Sequence, residues 1–375
     1  MKKIKVFCLA DSPLAPSGVG TQTRYMIEGL LQTGKFEFVC FGGAIKHPDY
    51  KPIRTEEYGD DWIIYPVDGY GSQEQVRALL KAQKPDIVWI MTDPRFWGWL
   101  WNIDNEIRSV APLVYYHVWD NLPYPTFNRK WYLSNDIVAS ISKVTDDIVR
   151  NVAPEVDLVR IPHAVNDSVF CKIPDTDLIK NFKKDNLIGI DSKGNKRFTF
   201  FWNNRNARRK QSGSLMFWFN DFLDRVGRDK ATLIMHTEPK DPNGQDLDAI
   251  SERLGFDDDQ FKLSTNKLSI EQLSVLYNAC DCTINISDAE GFGLATLESL
   301  ATETPIIVNM TGGLQEQVTD GENWFGFGIE PCSKAIIGSQ EVPWIYEDRI
   351  SGSDLVDAMV KMFELSDKER KELIK

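Results

Sequence analysis

Short apolar runs alternate with helical or polar stretches along the first half of the chain. Ile4–Ala10 predicts a buried strand, Asp11–Gly20 a loop punctuated by Pro and Gly, and Thr21–Leu31 a helix ending near Gly34. Further strands are expected at Phe36–Phe41, Asp86–Met91, Leu113–His117, Ile137–Ser140 and Val156–Ile161. Apolar strands of this length, spaced by helical stretches, imply βαβ units and a parallel sheet covered on both faces.

From Pro162 to Asn195 the alternation lapses: Pro162, Pro174, the run Lys180–Lys184 and Asp191–Asn195 mark a crossing between domains. It resumes with strands at Phe198–Trp202, Thr232–Thr237, Cys282–Ser287 and Ile306–Asn309, and helices at Gly213–Val226, Ile270–Asn278 and Leu294–Thr302. Ser269 with Gln272, and Ser366 with Glu369, have the spacing of capping boxes. The expected organisation is α/β, with two doubly wound Rossmann-like domains facing a central cleft. A first domain spans 1–165, a crossing 166–195, a second domain 196–353, and helices at 354–375 pack back on the first domain. In such sheets ligands bind beyond the carboxyl ends of the strands.

With 375 residues, 42% apolar and 26% charged, the chain has ordinary globular composition, which excludes disorder, collagen and coiled coil. No uncharged apolar stretch approaches the ~18 residues of a membrane span, and no signal peptide is read at the start, so a cytoplasmic protein without an integral membrane segment is expected. Cys8, Cys40, Cys171, Cys280, Cys282 and Cys332 are scattered as buried thiols of a reducing compartment would be, and Cys280-x-Cys282 lacks a second ligand pair. The net charge of −12 argues against general polyanion binding. Residues 1–165 hold 18 Lys and Arg against 20 Asp and Glu, whereas the other 210 hold 25 against 35, so the first half is the less repulsive surface for an anion.

The segment Ser287–Ala301 carries the strongest chemistry. A strand feeds a turn containing Gly291 and Gly293, and the turn opens directly into a helix. Free N–H groups at a helix start favour an anion, and glycines let backbone approach it closely. Glu298 lies one turn past Leu294, and its side chain tilts back toward the helix start. A carboxylate beside a phosphate makes sense if it accepts hydrogen bonds from hydroxyls such as those of a ribose, and a nucleotide diphosphate-sugar meets both demands.

This segment resembles the Glu-x7-Glu motif of retaining GT-B glycosyltransferases of the family-four type (glycosyl transferases group 1), through Glu290 and Glu298. Four other stretches resemble family motifs in the family's order: Ser17–Gly20 its glycine loop, Arg160–Asn166 the stretch before the crossing, Phe200–Lys210 the strand–Arg–x4–Lys signature, and Thr311–Glu316 the glycine–glycine–glutamate loop. The resemblance implies that Arg205 and Lys210 hold the donor diphosphate, Glu298 the ribose and Glu290 the transferred sugar. Gly291, Phe292, Gly293, Leu294, Gly312 and Gly313 would line the donor pocket, with Gly18 and Gly20 in the first domain's loop. Cations beside a departing diphosphate stabilise charge where it develops. His117, at a strand end, would lie near sugar and acceptor, with a buried structural His as the alternative; Asp120 would either orient it or contact the acceptor, and the aromatic cluster adds Trp119 and Tyr116 as acceptor candidates. Departures are Glu303 in place of Gly, Ala164 and Asn166 in place of Gly and Asp, and His163 in place of Asn; His163 reads as structural.

Other groups read as structural. His47 and His236 have no metal-site spacing, and Asp257–Asp259 reads as a solvated loop. The aromatic concentration from Trp89 through Phe96, Trp97, Trp99, Trp101, Tyr115 and Tyr124 to Trp131 and Tyr132 splits between core and acceptor binding. The expected activity is metal-independent sugar transfer from a nucleotide diphosphate-sugar to a hydroxyl acceptor with retention, without a cofactor. The acceptor is a glycan, a lipid-linked sugar or another hydroxyl compound, with hydroxylated bases in DNA as a further option. Rivals are an epimerase of similar architecture, separated by its consumption of nucleotide-sugar without acceptor, and a non-catalytic sugar-nucleotide-binding module, separated by binding without turnover.

Overall fold

The computed structural model describes residues 2–174 and 177–374. The chain forms two compact units, Met1–Ala164 with Gly338–Ile345, and Val165–Ile337 with Tyr346–Lys375.

The first unit is built on β1 (Ile4–Asp11), β2 (Phe36–Gly43), β3 (Ile53–Arg54), β4 (Trp62–Pro66), β5 (Ile87–Met91), β6 (Leu113–His117), β7 (Ile137–Ser140) and β8 (Asp157–Arg160), in the spatial order β3-β4-β2-β1-β5-β6-β7-β8. All pairs are parallel except β3 with β4, and β1 sets Ile4 against Phe36 and Val6 against Ile87. The strand order reverses between β1 and β5, which makes their carboxyl ends the switch point of the sheet. Three of its helices are α1 (Gly18–Leu31), α2 (Gln73–Gln83) and α3 (Lys143–Val152). Gly18 and Gly20, expected in a loop, form the first turn of α1, because Ser17 Oγ accepts from the Gly20 N–H at 3.0 Å and so caps the helix there. A Cβ on Gly20 would lie 2.7 Å from the carbonyls of Ser12 and Ala15, so the turn closes only over glycine. Phe7, Trp97, Trp101, Tyr115 and Tyr132 centre the core, and Val342 joins them from the 338–345 segment. Trp344 of the same segment meets the Phe127 ring edge-on at 5.0 Å, a participation that the expected boundaries did not contain.

The second unit's sheet comprises β9 (Phe198–Asn203), β10 (Ala231–His236), β11 (Phe261–Ser264), β12 (Cys282–Asn285), β13 (Ile306–Asn309) and β14 (Gly326–Ile329). These strands are parallel in the order β11-β10-β9-β12-β13-β14, a doubly wound arrangement whose switch point lies between β9 and β12. A separate hairpin pairs β15 (Ser333–Ile337) with β16 (Ile345–Arg349). The helices are α4 (Asp177–Asp185), α5 (Ser212–Val226), α6 (Leu247–Leu254), α7 (Ile270–Ala279), α8 (Leu294–Ala301), α9 (Gly352–Glu364) and α10 (Asp367–Glu372), besides short turns. The Ser269–Gln272 and Ser366–Glu369 capping boxes are both formed.

Several boundaries differ from expectation. Helices α9 and α10 lie in the second unit: Leu355, Met359 and Met362 share a core with Phe200, Phe219 and Phe222, and Arg370 covers the Phe198 ring. The 166–195 crossing also belongs to that unit, since Phe170 and Ile188 pack with Phe201 and Tyr277; its Asp175 and Thr176 lie outside the described residues. All six cysteines are free thiols, but Cys171 and Cys332 are exposed, not buried. Among the described residues no helix is long and apolar enough to cross a membrane.

Candidate functional site

The loops that leave β9 and β12 meet at the second unit's switch point. After β9 the chain presents Arg205, Arg208, Arg209 and Lys210, and after β12 the turn from Asp288 to Gly293. Lys210 Nζ forms an ion pair with the Glu290 carboxylate, their side chains only 10% and 15% exposed. Burial alone would lift the Glu290 pKa, but the charges of Lys210 and Arg209 hold it below the ordinary glutamate value. Arg209 donates to the Ala289 carbonyl, and the Asp288 N–H donates to the Arg209 carbonyl at 2.8 Å, so the two loops are stitched together. Arg205, the other expected cation, is engaged on Asp241, with Nε to Oδ2 at 2.6 Å and Nη2 to Oδ1 at 3.1 Å. That contact and the Asn243 N–H hold the Asp241 pKa down to about 2. Of the two predicted cations, only Lys210 is on the Glu290 side chain.

Helix α8 opens at Leu294 from Gly293, which has φ +91° and places no side-chain cap on the first N–H groups. Those groups are oriented donors at the positive end of a helix dipole. The turn before them is held from behind: Gln317 Nε2 donates to the Phe292 carbonyl at 2.6 Å, and the Gly313 N–H donates to the Glu290 carbonyl at 2.9 Å. A Cβ on Gly312, whose φ is +49°, would fall 2.0 Å from the Glu290 carbonyl oxygen. One on Gly313 would sit 2.6 Å from the Gly291 oxygen and the Phe292 Cα. The two glycines are therefore the seat of the Glu290–Phe292 turn. One turn into α8, Glu298 accepts from the Tyr277 hydroxyl at 2.9 Å, and that hydroxyl accepts from Asn203 Nδ2 at 2.9 Å. Burial pushes the Glu298 pKa up to about 7, against the opposing pull of the Tyr277 hydrogen bond.

The hairpin contributes groups that sequence reading missed. Glu347 of β16 is almost fully buried and binds both Arg208 and Arg349, the latter at 3.0 Å. The Asp348 N–H donates to the Asp288 carbonyl at 2.9 Å, while Asn309 Nδ2 donates to the carbonyls of Asp348 and Ser287 at 2.7 and 2.9 Å. Thr311 Oγ1 donates to Asp348 Oδ2 at 2.8 Å, so β16 reaches the loops after β9, β12 and β13 alike. Burial lifts the Asp288 carboxyl to about 6, although Gln211 donates to it at 2.7 Å. The only sequence signal was the charged triplet Glu347-Asp348-Arg349 inside a strand-like run.

In the first unit the predicted residues turn inward. His117 is fully buried, its Nε2 on the Tyr132 hydroxyl at 2.8 Å and its ring edge-on to Tyr115 and Tyr132. Burial drives its pKa down to about 3, which keeps the imidazole neutral, so the expected contact with sugar and acceptor is replaced by a packing position. Tyr116 donates to the Ile161 carbonyl at 2.8 Å and meets His163 Nδ1 at 3.0 Å. Trp119 is buried against Phe127 and donates to the Asn121 carbonyl at 2.9 Å. Asp120, beside it, follows the carboxyl end of β6 and is itself engaged in an interaction. Trp97 and Trp101 are core, with Trp101 stacked on Trp131.

The departures from the family pattern have local explanations. Glu303 holds φ +55°, a backbone that glycine would adopt without strain. Ala164 exchanges two hydrogen bonds with the Gln22 amide at 2.7 and 3.0 Å. Asn166 Oδ1 accepts from the backbone and hydroxyl of Ser168. Asp257 and Asp259 are spent on turn and loop contacts, including Ser192.

The sequence pattern of the family described as Glycosyl transferases group 1 matches residues 245–356, which include the Glu290–Glu298 segment, the two-glycine seat and the hairpin. A stretch of 53 residues is 42% identical to a D-inositol 3-phosphate glycosyltransferase of Corynebacterium urealyticum, covering 14% of this chain and 12% of that relative's length. In fold the chain is similar throughout to sucrose-phosphate synthase of Thermosynechococcus elongatus, with a TM-score of 0.71 at 14% identity over 100% of this chain and 94% of that one. A trehalose-6-phosphate structure from E. coli bound with UDP-2-fluoro glucose matches at 0.70 and 11% identity over 99% and 93%. Anabaena HepE in complex with UDP and glucose matches at 0.67 and 14% over 99% and 92%. The fold is GT-B, and the family pattern takes in two of the five motif stretches, Glu290–Glu298 and Thr311–Glu316.

Proposed function

We propose that this chain, GT-B in fold and with a glycosyl transferases group 1 segment in its second unit, transfers a sugar from a nucleotide diphosphate-sugar to a hydroxyl acceptor with retention of configuration. The observation that carries the reading is the convergence of Lys210, the uncapped start of α8 and the Glu290 turn at one switch point. UDP with glucose and UDP-2-fluoro glucose in two of the similar structures support it. The diphosphate would lie on the α8 N–H groups and Lys210, and Glu298 would accept from the ribose hydroxyls. In the free protein Lys210 and Glu290 neutralise one another. A diphosphate offers Lys210 another anion, leaving Glu290 to accept from the hydroxyls of the transferred sugar. The bond from the sugar's anomeric carbon to the diphosphate oxygen breaks as the acceptor oxygen bonds to that carbon on the same face. The acceptor proton passes to the departing oxygen, giving nucleoside diphosphate and glycoside. Charge neutralisation falls to Lys210 and the helix start, without a metal ion or cofactor, and Arg205 joins only by exchanging Asp241 for phosphate. Thermal unfolding in the presence of UDP, ADP and GDP and their glucose conjugates tests the reading. One nucleotide series raises Tm, because a ligand bound to the native state stabilises it; no shift from any would overturn it.

Glu298 gives this proposal a pH signature. Its native pKa of about 7 lies above the ordinary value of 4.5, so the native state holds a proton that the unfolded chain releases between those values. Stability therefore falls as pH rises through that window, by roughly 3 kcal/mol, and stays lower above it. Nucleotide affinity moves the other way, rising toward pH 8 as the carboxylate becomes an acceptor for ribose. Glu298→Gln is expected to flatten both slopes, in denaturation and in nucleotide titration at pH 5.5 and 8, leaving the smaller fall in stability that Asp288 contributes up to about pH 6. Slopes unchanged from wild type would refute the assignment.

A further inference from the structure

The carboxyl ends of β1 and β5, at the first unit's switch point, carry chemistry that the transfer reaction has not used. Asp11, the last residue of β1, is only 8% exposed. Its carboxylate accepts from Ser17 Oγ at 2.6 Å and the Tyr70 hydroxyl at 2.9 Å, and among the described residues no cation is paired with it. A buried carboxylate held only by neutral hydroxyls is uncommon, since buried charges are normally paired. Thr92, just past β5, is buried with φ +101°, a genuine outlier for a β-branched residue and a kind of strain that collects at binding sites. Tyr70 stacks on Phe96 with ring centroids 4.8 Å apart and planes at 24°, and Phe96 is 43% exposed. The guanidinium nearest Phe96 in sequence, Arg95, is closed on Asp93 through two bonds at 2.9 and 2.7 Å. Burial, with Asp11 alongside, raises the Tyr70 pKa, so its hydroxyl stays a donor.

We propose that Asp11, Tyr70 and Phe96 form a binding site for a neutral polyhydroxylated ring, the carboxylate and phenol taking its hydroxyls and the exposed aromatic its apolar face. Aromatic rings pack well on such faces, whereas an uncompensated carboxylate repels a phosphate monoester. Resting on the transferase reading, the occupant is the acceptor, so that acceptor is an unphosphorylated sugar or cyclitol. Tyr116, held by Ile161 and His163, and Trp119, packed in the core, are not its contacts.

Saturation-transfer NMR on the full chain, without nucleotide, tests this with D-glucose, myo-inositol and D-glucose 6-phosphate. At least one neutral ring binds, and D-glucose 6-phosphate binds at least tenfold more weakly than D-glucose. Phe96→Ala, at an exposed position, weakens the neutral ligand at least fivefold, and Asp11→Asn narrows the tenfold gap. Absence of neutral-ring binding, equal or tighter binding of the phosphate ester, or wild-type binding by a folded Phe96→Ala protein would overturn the proposal. A chain that binds the neutral ring but shows no thermal shift with any nucleotide would instead overturn the transferase reading and leave this site standing.

Discussion

Lys210→Ala is expected to lower kcat by roughly 100- to 1,000-fold, the scale seen when a preorganised group facing developing charge is removed. The side chain has two tasks. In the free protein it compensates Glu290 inside a site where both side chains are at least 85% covered; at the transition state it would meet the charge gathering on the departing diphosphate. Removing it leaves Glu290 with burial and a weaker opposing field, so the Glu290 pKa climbs and the protein loses stability as well as rate. Steady-state kinetics over pH 5.5–8.5 read the loss of rate and the Glu290 shift, since a protonated Glu290 accepts fewer hydrogen bonds from the sugar. A variant with wild-type kcat would remove Lys210 from the mechanism. Substitution by Arg is not a gentle control, because a planar guanidinium does not occupy the place of a compact ammonium.

Gly312→Ala should have the largest effect on folding among the site substitutions, about 3–5 kcal/mol. The contact involved is with backbone and not with a side-chain end that can swing away: the added carbon would lie 2.0 Å from the Glu290 carbonyl oxygen at a φ of +49°. Left-handed backbone on a non-glycine residue costs about 1–2 kcal/mol, and displacing the opposing turn adds several more. Urea denaturation of Gly312→Ala beside Gly34→Ala, where φ is +69° and nothing lies within 4 Å of the Cβ position, separates the two causes, and Gly29→Ala is the control that carries neither. Gly29 lies inside α1 with nothing within 4 Å of its Cβ position, so alanine there is expected to stabilise by about 0.5–1 kcal/mol. If Gly312→Ala cost no more than a few tenths of a kcal/mol, the two-glycine seat would be a contact of no consequence.

The legible parts of the chain are those whose signal is local. β6 and β13 run as expected, at Leu113–His117 and Ile306–Asn309, because each is an apolar run bounded by polar or Pro-containing stretches. The Glu290-to-Glu298 spacing was visible for the same reason. By contrast β14 is Gly-Phe-Gly-Ile and β11 is Phe-Lys-Leu-Ser, which give no strand signal on their own and owe their conformation to β13 and β10. Side-chain destinations were harder still. Arg205 and Lys210 share one motif, yet Asp241 takes the first and Glu290 the second, each some 36 or 80 positions away. His117 sits at a strand end where chemistry is expected, and only the approach of Tyr132 from outside the strand shows it to be enclosed.

Because one strand, β16, ties down the loops following β9, β12 and β13, none of these loops moves without the others. The conformational freedom that three separate loops would lose on meeting a ligand is already lost when the chain folds. Binding free energy is then spent less on immobilising the protein, and a rigid ligand and a flexible one should differ in affinity mainly through their own entropy.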